Sequence, residues 1–131
     1  MKRLVAVLAF LVLATWSAMA VTAPPVNNVR EFMRKKLVHS QKVLEGITTD
    51  DLESVAKHSQ DLSLLSQAAT WQVLQTPDYL QHSTEFRRAA DSLTEAAKKR
   101  NSDGAALAYL DVTMKCVTCH KYVRGVRTAS K

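Results

Sequence analysis

The amino-acid sequence predicts an all-α protein folded as an antiparallel four-helix bundle. Two observations favour this fold class. Apolar residues recur at helical spacing in four stretches, while strand signals and internal repeats are scarce. The segments between these stretches are short, and short connections favour antiparallel packing of neighbouring helices.

Residues 1–20 have the pattern of a signal peptide. A basic start, Met1-Lys2-Arg3, precedes an apolar run from Leu4 to Trp16, and Ala18-Met19-Ala20 has the small-x-small form of a cleavage site. The apolar run is shorter than the ~20 residues that span a bilayer, which argues against a membrane anchor. We therefore expect export to the periplasm or beyond, leaving residues 21–131 as the mature domain with no membrane span.

Length and composition exclude several classes of protein. The chain has 131 residues, 18 Lys and Arg against 12 Asp and Glu, and two cysteines. A chain of this size is too short for a multidomain enzyme, and two cysteines are too few for a disulfide-rich scaffold. A core this small would gain stability from a bound group.

The first predicted helix begins at Asn27 or Asn28, which can cap it, and ends near Gly46. Its inward stripe comprises Val29, Phe32, Met33, Leu37, Ser40, Leu44 and Ile47. Basic residues are expected on its other faces, namely Arg30, Arg34, Lys35 and Lys36.

The second predicted helix begins at Thr49 and carries apolar residues as far as Val73. The third begins at Pro77 with Thr76 as its cap, or restarts at Ser83. Its inward side chains are Phe86, Ala89, Ala90, Leu93 and Ala97.

The fourth predicted helix follows a turn at residues 101–104 and stops at Gly125. Its expected stripe is Ala106, Tyr109, Leu110, Thr113, Cys116, Val117 and His120.

Both cysteines lie in the pentapeptide Cys116-Val117-Thr118-Cys119-His120, and C-x-x-C-H is the attachment signature of c-type haem. Positions i, i+3 and i+4 project from one side of a helix. Cys116 and Cys119 can thus form thioethers to one haem c per chain, and His120 can bind its iron as the proximal ligand.

A disulfide, a redox C-x-x-C pair and a zinc site are the alternatives. The i, i+3 geometry of a helix is not ideal for a disulfide, and a redox pair should open a helix after a strand. Zinc would need a second ligand pair, and His39, His58 and His82 are scattered without the usual spacing.

The chain resembles the class II c-type cytochromes, the family of cytochrome c prime and its low-spin relatives. The resemblance depends on the four predicted helices, on the terminal C-x-x-C-H followed by Tyr122 and Arg124, and on the run Phe32-Met33-Arg34-Lys35-Lys36-Leu37. It implies a four-helix bundle, often paired as a homodimer, with covalent haem near the C-terminus. It also places Arg124 near the proximal side of the haem, although Arg124 at a solvated helix end is an equal alternative.

The resemblance places the distal position on the first helix, most naturally at Leu37, which cannot bind iron. Met33 lies one turn earlier and is the weaker candidate for a sixth ligand, with a space-filling core methionine as the alternative. His39 should face away from Leu37, and His58 and His82 are expected at the surface without partners.

The sequence thus predicts a one-electron carrier rather than an enzyme. Its partner would be an acidic redox protein that meets a basic rim, while nucleic acid is not expected. That rim comprises Arg30, Arg34, Lys35, Lys36, Lys121, Arg124 and Arg127. The alternatives are a binder of nitric oxide or carbon monoxide and a haem-free helical interaction domain.

Overall fold

The computed structural model describes residues 26–68 and 73–129. This part of the chain forms four helices: α1 (Val26–Thr48), α2 (Leu52–Leu65), α3 (Pro77–Lys98) and α4 (Ser102–Ala129). It contains no strand, so the all-α prediction is confirmed for the described residues. The predicted signal peptide and Trp71 lie outside them.

Local capping chemistry sets where α2 and α3 begin. Thr76 caps α3 with Pro77 in the first turn, which confirms the first of the two predicted starts. Asp51 caps α2 by accepting a hydrogen bond from the Ser54 N–H at 3.0 Å. The predicted start at Thr49 was wrong because Asp50 adopts a positive φ of 57°, which separates α1 from α2.

Three helix ends differ from the prediction. α2 stops at Leu65, well before Val73. α4 begins at Ser102, because Asn101 Oδ1 accepts a hydrogen bond from the Gly104 N–H at 2.9 Å. α4 also continues through Gly125, since none of the described glycines takes the positive φ that a glycine stop requires.

Consecutive helices run antiparallel, as the residues that meet across them indicate. The Gly46 backbone at the end of α1 lies close to Val55 in α2, and Lys36, near the middle of α1, reaches Ser66 beyond the end of α2. Glu85 contacts Lys115, whereas the earlier Thr76 contacts the later Tyr122, so α4 runs antiparallel to α3. The shared core includes Val43, Leu52, Val55, Leu62, Phe86, Ala90, Leu93, Ala105 and Val112.

The predicted inward residues of α3 are all buried. On α1 and α4, the predicted inward stripes are rotated around the helix axis relative to the faces that are buried in the structure. On α1, Leu37 and Leu44 are 57% and 48% exposed, while Val43 is fully buried. Lys36, expected on the basic surface, is only 7% exposed. On α4 the buried positions are Ala105, Val112 and Cys119 rather than the line that begins at Ala106.

α1 and α4 pack only loosely against each other, with far fewer contacts than the consecutive helices make. The gap between them opens into a cavity. None of the helices in the described part combines the length and apolar character needed to cross a membrane.

Candidate functional site

A cavity of about 330 Å³ lies between α1 and α4. Its inner wall is apolar and comes from Leu62 of α2, Phe86 of α3 and Val112 of α4. This volume falls within the range of about 300–1,000 Å³ that is usual for small-molecule and cofactor pockets. Leu37 and His120 line it and are exposed, so the cavity is open to solvent on that side.

The residues of the C-x-x-C-H motif lie on one wall of the cavity. Cys116 and Cys119 lie on consecutive turns of α4, and both are free thiols that line the cavity. Burial raises the pKa of each thiol, against the opposing effect of the Lys36 ammonium. Both thiols are therefore protonated at neutral pH, unlike the activated cysteines of redox pairs, whose pKa is lowered.

His120 lies at the mouth of the same cavity, next to Cys119. Its imidazole also borders a smaller cavity of about 200 Å³ together with Arg124. Partial desolvation, followed by the positive charges of Arg124 and Lys36, lowers the pKa of His120. The neutral imidazole, which has a lone pair available for a metal, is the form that results at neutral pH.

Two side-chain contacts, one from α3 and one from its N-cap residue, hold the segment of α4 that carries the motif. Glu85 Oε2 accepts from Lys115 Nζ at 3.3 Å, immediately before Cys116. The hydroxyls of Thr76 and Tyr122 are 2.6 Å apart, just beyond His120. The motif is thus fixed against α3 on both sides, while its reactive side chains face the gap toward α1.

The wall contributed by α1 contains the predicted distal residues. Met33, half-buried, and Leu37 both line the cavity, one helical turn apart. Farther along α1, the Tyr109 hydroxyl of α4 donates to the Ser40 carbonyl at 3.1 Å and joins the two helices. His39 lies outside the cavity, as its rotation around α1 predicts.

Lys36 also lines the cavity, although the sequence predicted it on the basic surface. Its Nζ donates to Ser66 Oγ at 3.0 Å and lies 3.5 Å from the centroid of the Phe86 ring. Burial lowers the pKa of Lys36 to about 7, although the two cysteines oppose this shift. The available signal was spacing, since Lys36 falls four residues after buried Phe32 and seven before buried Val43.

The other histidines also depart from expectation. His58 was expected at the surface without a partner, but it is half-buried and its Nδ1 lies 3.0 Å from Nδ1 of His39. His82 is half-buried as well, with its ring centroid 5.3 Å from that of Tyr122. Each contact joins two consecutive helices, so it depends on the register in which those helices pack side by side.

Comparisons with protein-family models, with curated proteins and with solved structures find no match to this chain. Its function is therefore inferred from the chemistry of the cavity and of the C-x-x-C-H motif.

Proposed function

We propose that this protein is an exported c-type cytochrome of the class II type, an antiparallel four-helix bundle that holds one covalent haem and transfers single electrons. The observation that carries the proposal is the placement of Cys116, Cys119 and His120 along one wall of an apolar cavity. The residues fit the group, because two free thiols and a neutral imidazole are the donors that haem c requires.

Each residue of the motif has a defined task. The S–H bonds of Cys116 and Cys119 would add across the two vinyl groups of a porphyrin, one thioether per thiol, with no oxidant or reductant needed. His120 would occupy the proximal coordination position with a ring nitrogen. The bound iron would supply a one-electron Fe(II)/Fe(III) couple, and the apolar wall formed by Leu62, Phe86 and Val112 would shield it.

The α1 wall would decide what happens at the distal side. Met33 offers a thioether, and Lys36 offers an amine whose pKa is lowered by burial to about 7. Leu37 offers only an apolar surface. If Met33 bound the iron, the protein would serve as an electron carrier, whereas Leu37 over the distal side would leave room for nitric oxide or carbon monoxide.

A basic rim beside the cavity suits an acidic redox partner. Lys121 and Arg124 are exposed on the turn that follows His120, and Arg30, Arg34 and Lys35 are exposed along α1. Positive charge near the exposed edge of the cavity would steer an acidic partner toward it at low salt. Lys36 is buried and does not belong to this rim.

Carbon monoxide separates the two functions. We expect the reduced protein to give an absorption spectrum that carbon monoxide does not change, and we expect Met33→Leu to make that spectrum responsive by freeing the sixth position. Met114→Leu is the matched control, since Met114 is an exposed methionine of α4 that lies outside the cavity lining. A rapid response of the unaltered protein, matched by Met33→Leu, would instead favour the gas-binding function.

A further inference from the structure

A second group of ligand-type side chains lies away from the cavity, between α1 and α2. His39 of α1 faces His58 and Asp61 of α2, and all three are half-buried. The two Nδ1 atoms are 3.0 Å apart. Asp61 Oδ2 lies 3.4 Å from Nδ1 of His39 and 3.7 Å from Nδ1 of His58.

Hydrogen bonding explains only one of the three distances among these atoms. A single N–H between the two imidazoles accounts for the 3.0 Å separation. Charge-assisted N–H···O bonds are about 2.7–2.9 Å long. Asp61 Oδ2 is farther than that from both imidazoles, so it faces the pair without a short bond to either.

The three separations are close to those that donor atoms around one metal ion adopt. Zinc binds histidine nitrogen and carboxylate oxygen at about 2.0–2.2 Å in a tetrahedral arrangement, so neighbouring donor atoms lie about 3.3–3.6 Å apart. In the structure one separation, 3.4 Å, lies within this range, and the other two, 3.0 and 3.7 Å, lie just below and just above it. We propose that His39, His58 and Asp61 bind a divalent transition-metal ion of the zinc class and that this ion clips α1 to α2.

The chemistry of the donors selects the metal. Two imidazoles and one carboxylate suit zinc-class ions, whereas calcium and magnesium favour sites built from oxygen alone. Three protein ligands leave a fourth position for water. Lys42 and Lys57 lie near enough to oppose a cation and will moderate its affinity.

The clip would act on the cavity wall without touching the cavity. α1 contacts α4 only loosely, so its position depends mainly on α2. His39 lies one turn or less from Lys36 and Leu37, which line the cavity. Fixing His39 to α2 would therefore hold the wall that α1 contributes.

Titration with Zn²⁺ alone, followed by calorimetry, tests the site on the full exported chain. The same titration in a Cys116→Ala/Cys119→Ala background removes the thiols as competing ligands, and it remains informative whether or not the chain carries haem. We expect one Zn²⁺ per chain in both backgrounds, with no comparable binding of Mg²⁺.

Ligand variants and a matched control complete the test. His39→Ala, His58→Ala and the nearly isosteric Asp61→Asn should each weaken zinc binding at least about tenfold, the scale on which even outer-shell partners act. His82→Ala, at a half-buried histidine of α3, should leave it unchanged. Circular dichroism confirms that each variant is folded, and Asp61→Asn keeps the test decisive if an alanine variant unfolds. The proposal fails if the unaltered chain binds no Zn²⁺ or if folded Asp61→Asn binds it equally well.

Discussion

Replacing both Cys116 and Cys119 by alanine is expected to abolish covalent haem, because no thioether can then form. The protein is expressed in a host that attaches haem, then denatured and separated by electrophoresis, and haem that stays with the polypeptide is detected by its peroxidase activity. The unaltered protein should keep its haem through denaturation, and the double variant should keep none. Cysteine packs as a small apolar side chain, so we expect the double variant to remain helical.

Thr118→Ala provides the matched control for the cysteine variants. Thr118 lies between the two cysteines on the same turn of α4, but its side chain is exposed and its hydroxyl donates to the Met114 carbonyl within the helix. Loss of the Thr118 hydroxyl should leave the amount of covalently bound haem the same as in the unaltered protein. Haem that survives denaturation in the double cysteine variant would show that these thiols are not the attachment points.

Lys36→Met is expected to change how stability depends on pH in the chain produced without haem attachment. In the unfolded chain the pKa of Lys36 is 10.5, and burial lowers it to about 7 in the folded chain. Between these values the unfolded state binds the extra proton, so the free energy of unfolding rises with pH across this window. Above pH 10.5 the penalty for burying a charged amine is absent, and below about pH 7 it is fully present.

The size of this effect is bounded by the two pKa values. The difference between the two pKa values corresponds to roughly 5 kcal/mol in the free energy of unfolding, since each tenfold change in the acid dissociation constant is worth about 1.4 kcal/mol. The protonated amine recovers part of that cost through its hydrogen bond to Ser66 and its position over the Phe86 ring. We therefore expect Lys36→Met to be more stable than the unaltered chain at pH 7 by a few kcal/mol, with the difference shrinking toward pH 10.5.

Urea unfolding at the two ends of this pH window measures the difference. Lys35→Met is the control, because Lys35 is exposed on the same helix and pairs with Glu31 one turn away. Its midpoint should follow that of the unaltered chain at both pH values. If the free energies of unfolding of the Lys36→Met and unaltered chains differed by the same amount at both pH values, the lowered pKa of Lys36 would be contradicted.

The sequence predicted those parts of the fold that local chemistry decides. Thr76 and Pro77 start α3 because capping and the fixed φ of proline act within one turn. The inward residues of α3 were predicted correctly because that helix packs on both sides and its apolar residues follow its buried face. The C-x-x-C-H spacing likewise placed Cys116 and Cys119 on one wall, since helical periodicity alone decides this.

Features that depend on packing between helices were not predictable from apolar pattern alone. α1 is loosely covered by α4, so apolar Leu37 and Leu44 remain exposed while Lys36 is buried against Ser66 and Phe86. The contact between His39 and His58 needs the register of the α1–α2 pair, which their spacing in the sequence does not reveal.

The intact mass of the exported protein, measured under denaturing conditions after expression in a host that attaches haem, tests the central proposal most directly. We predict a polypeptide of residues 21–131 carrying the mass of one haem. The bare polypeptide mass would contradict the account and favour a haem-free helical interaction domain, and a mass two hydrogen atoms lower would indicate that the two sulfur atoms are joined to each other.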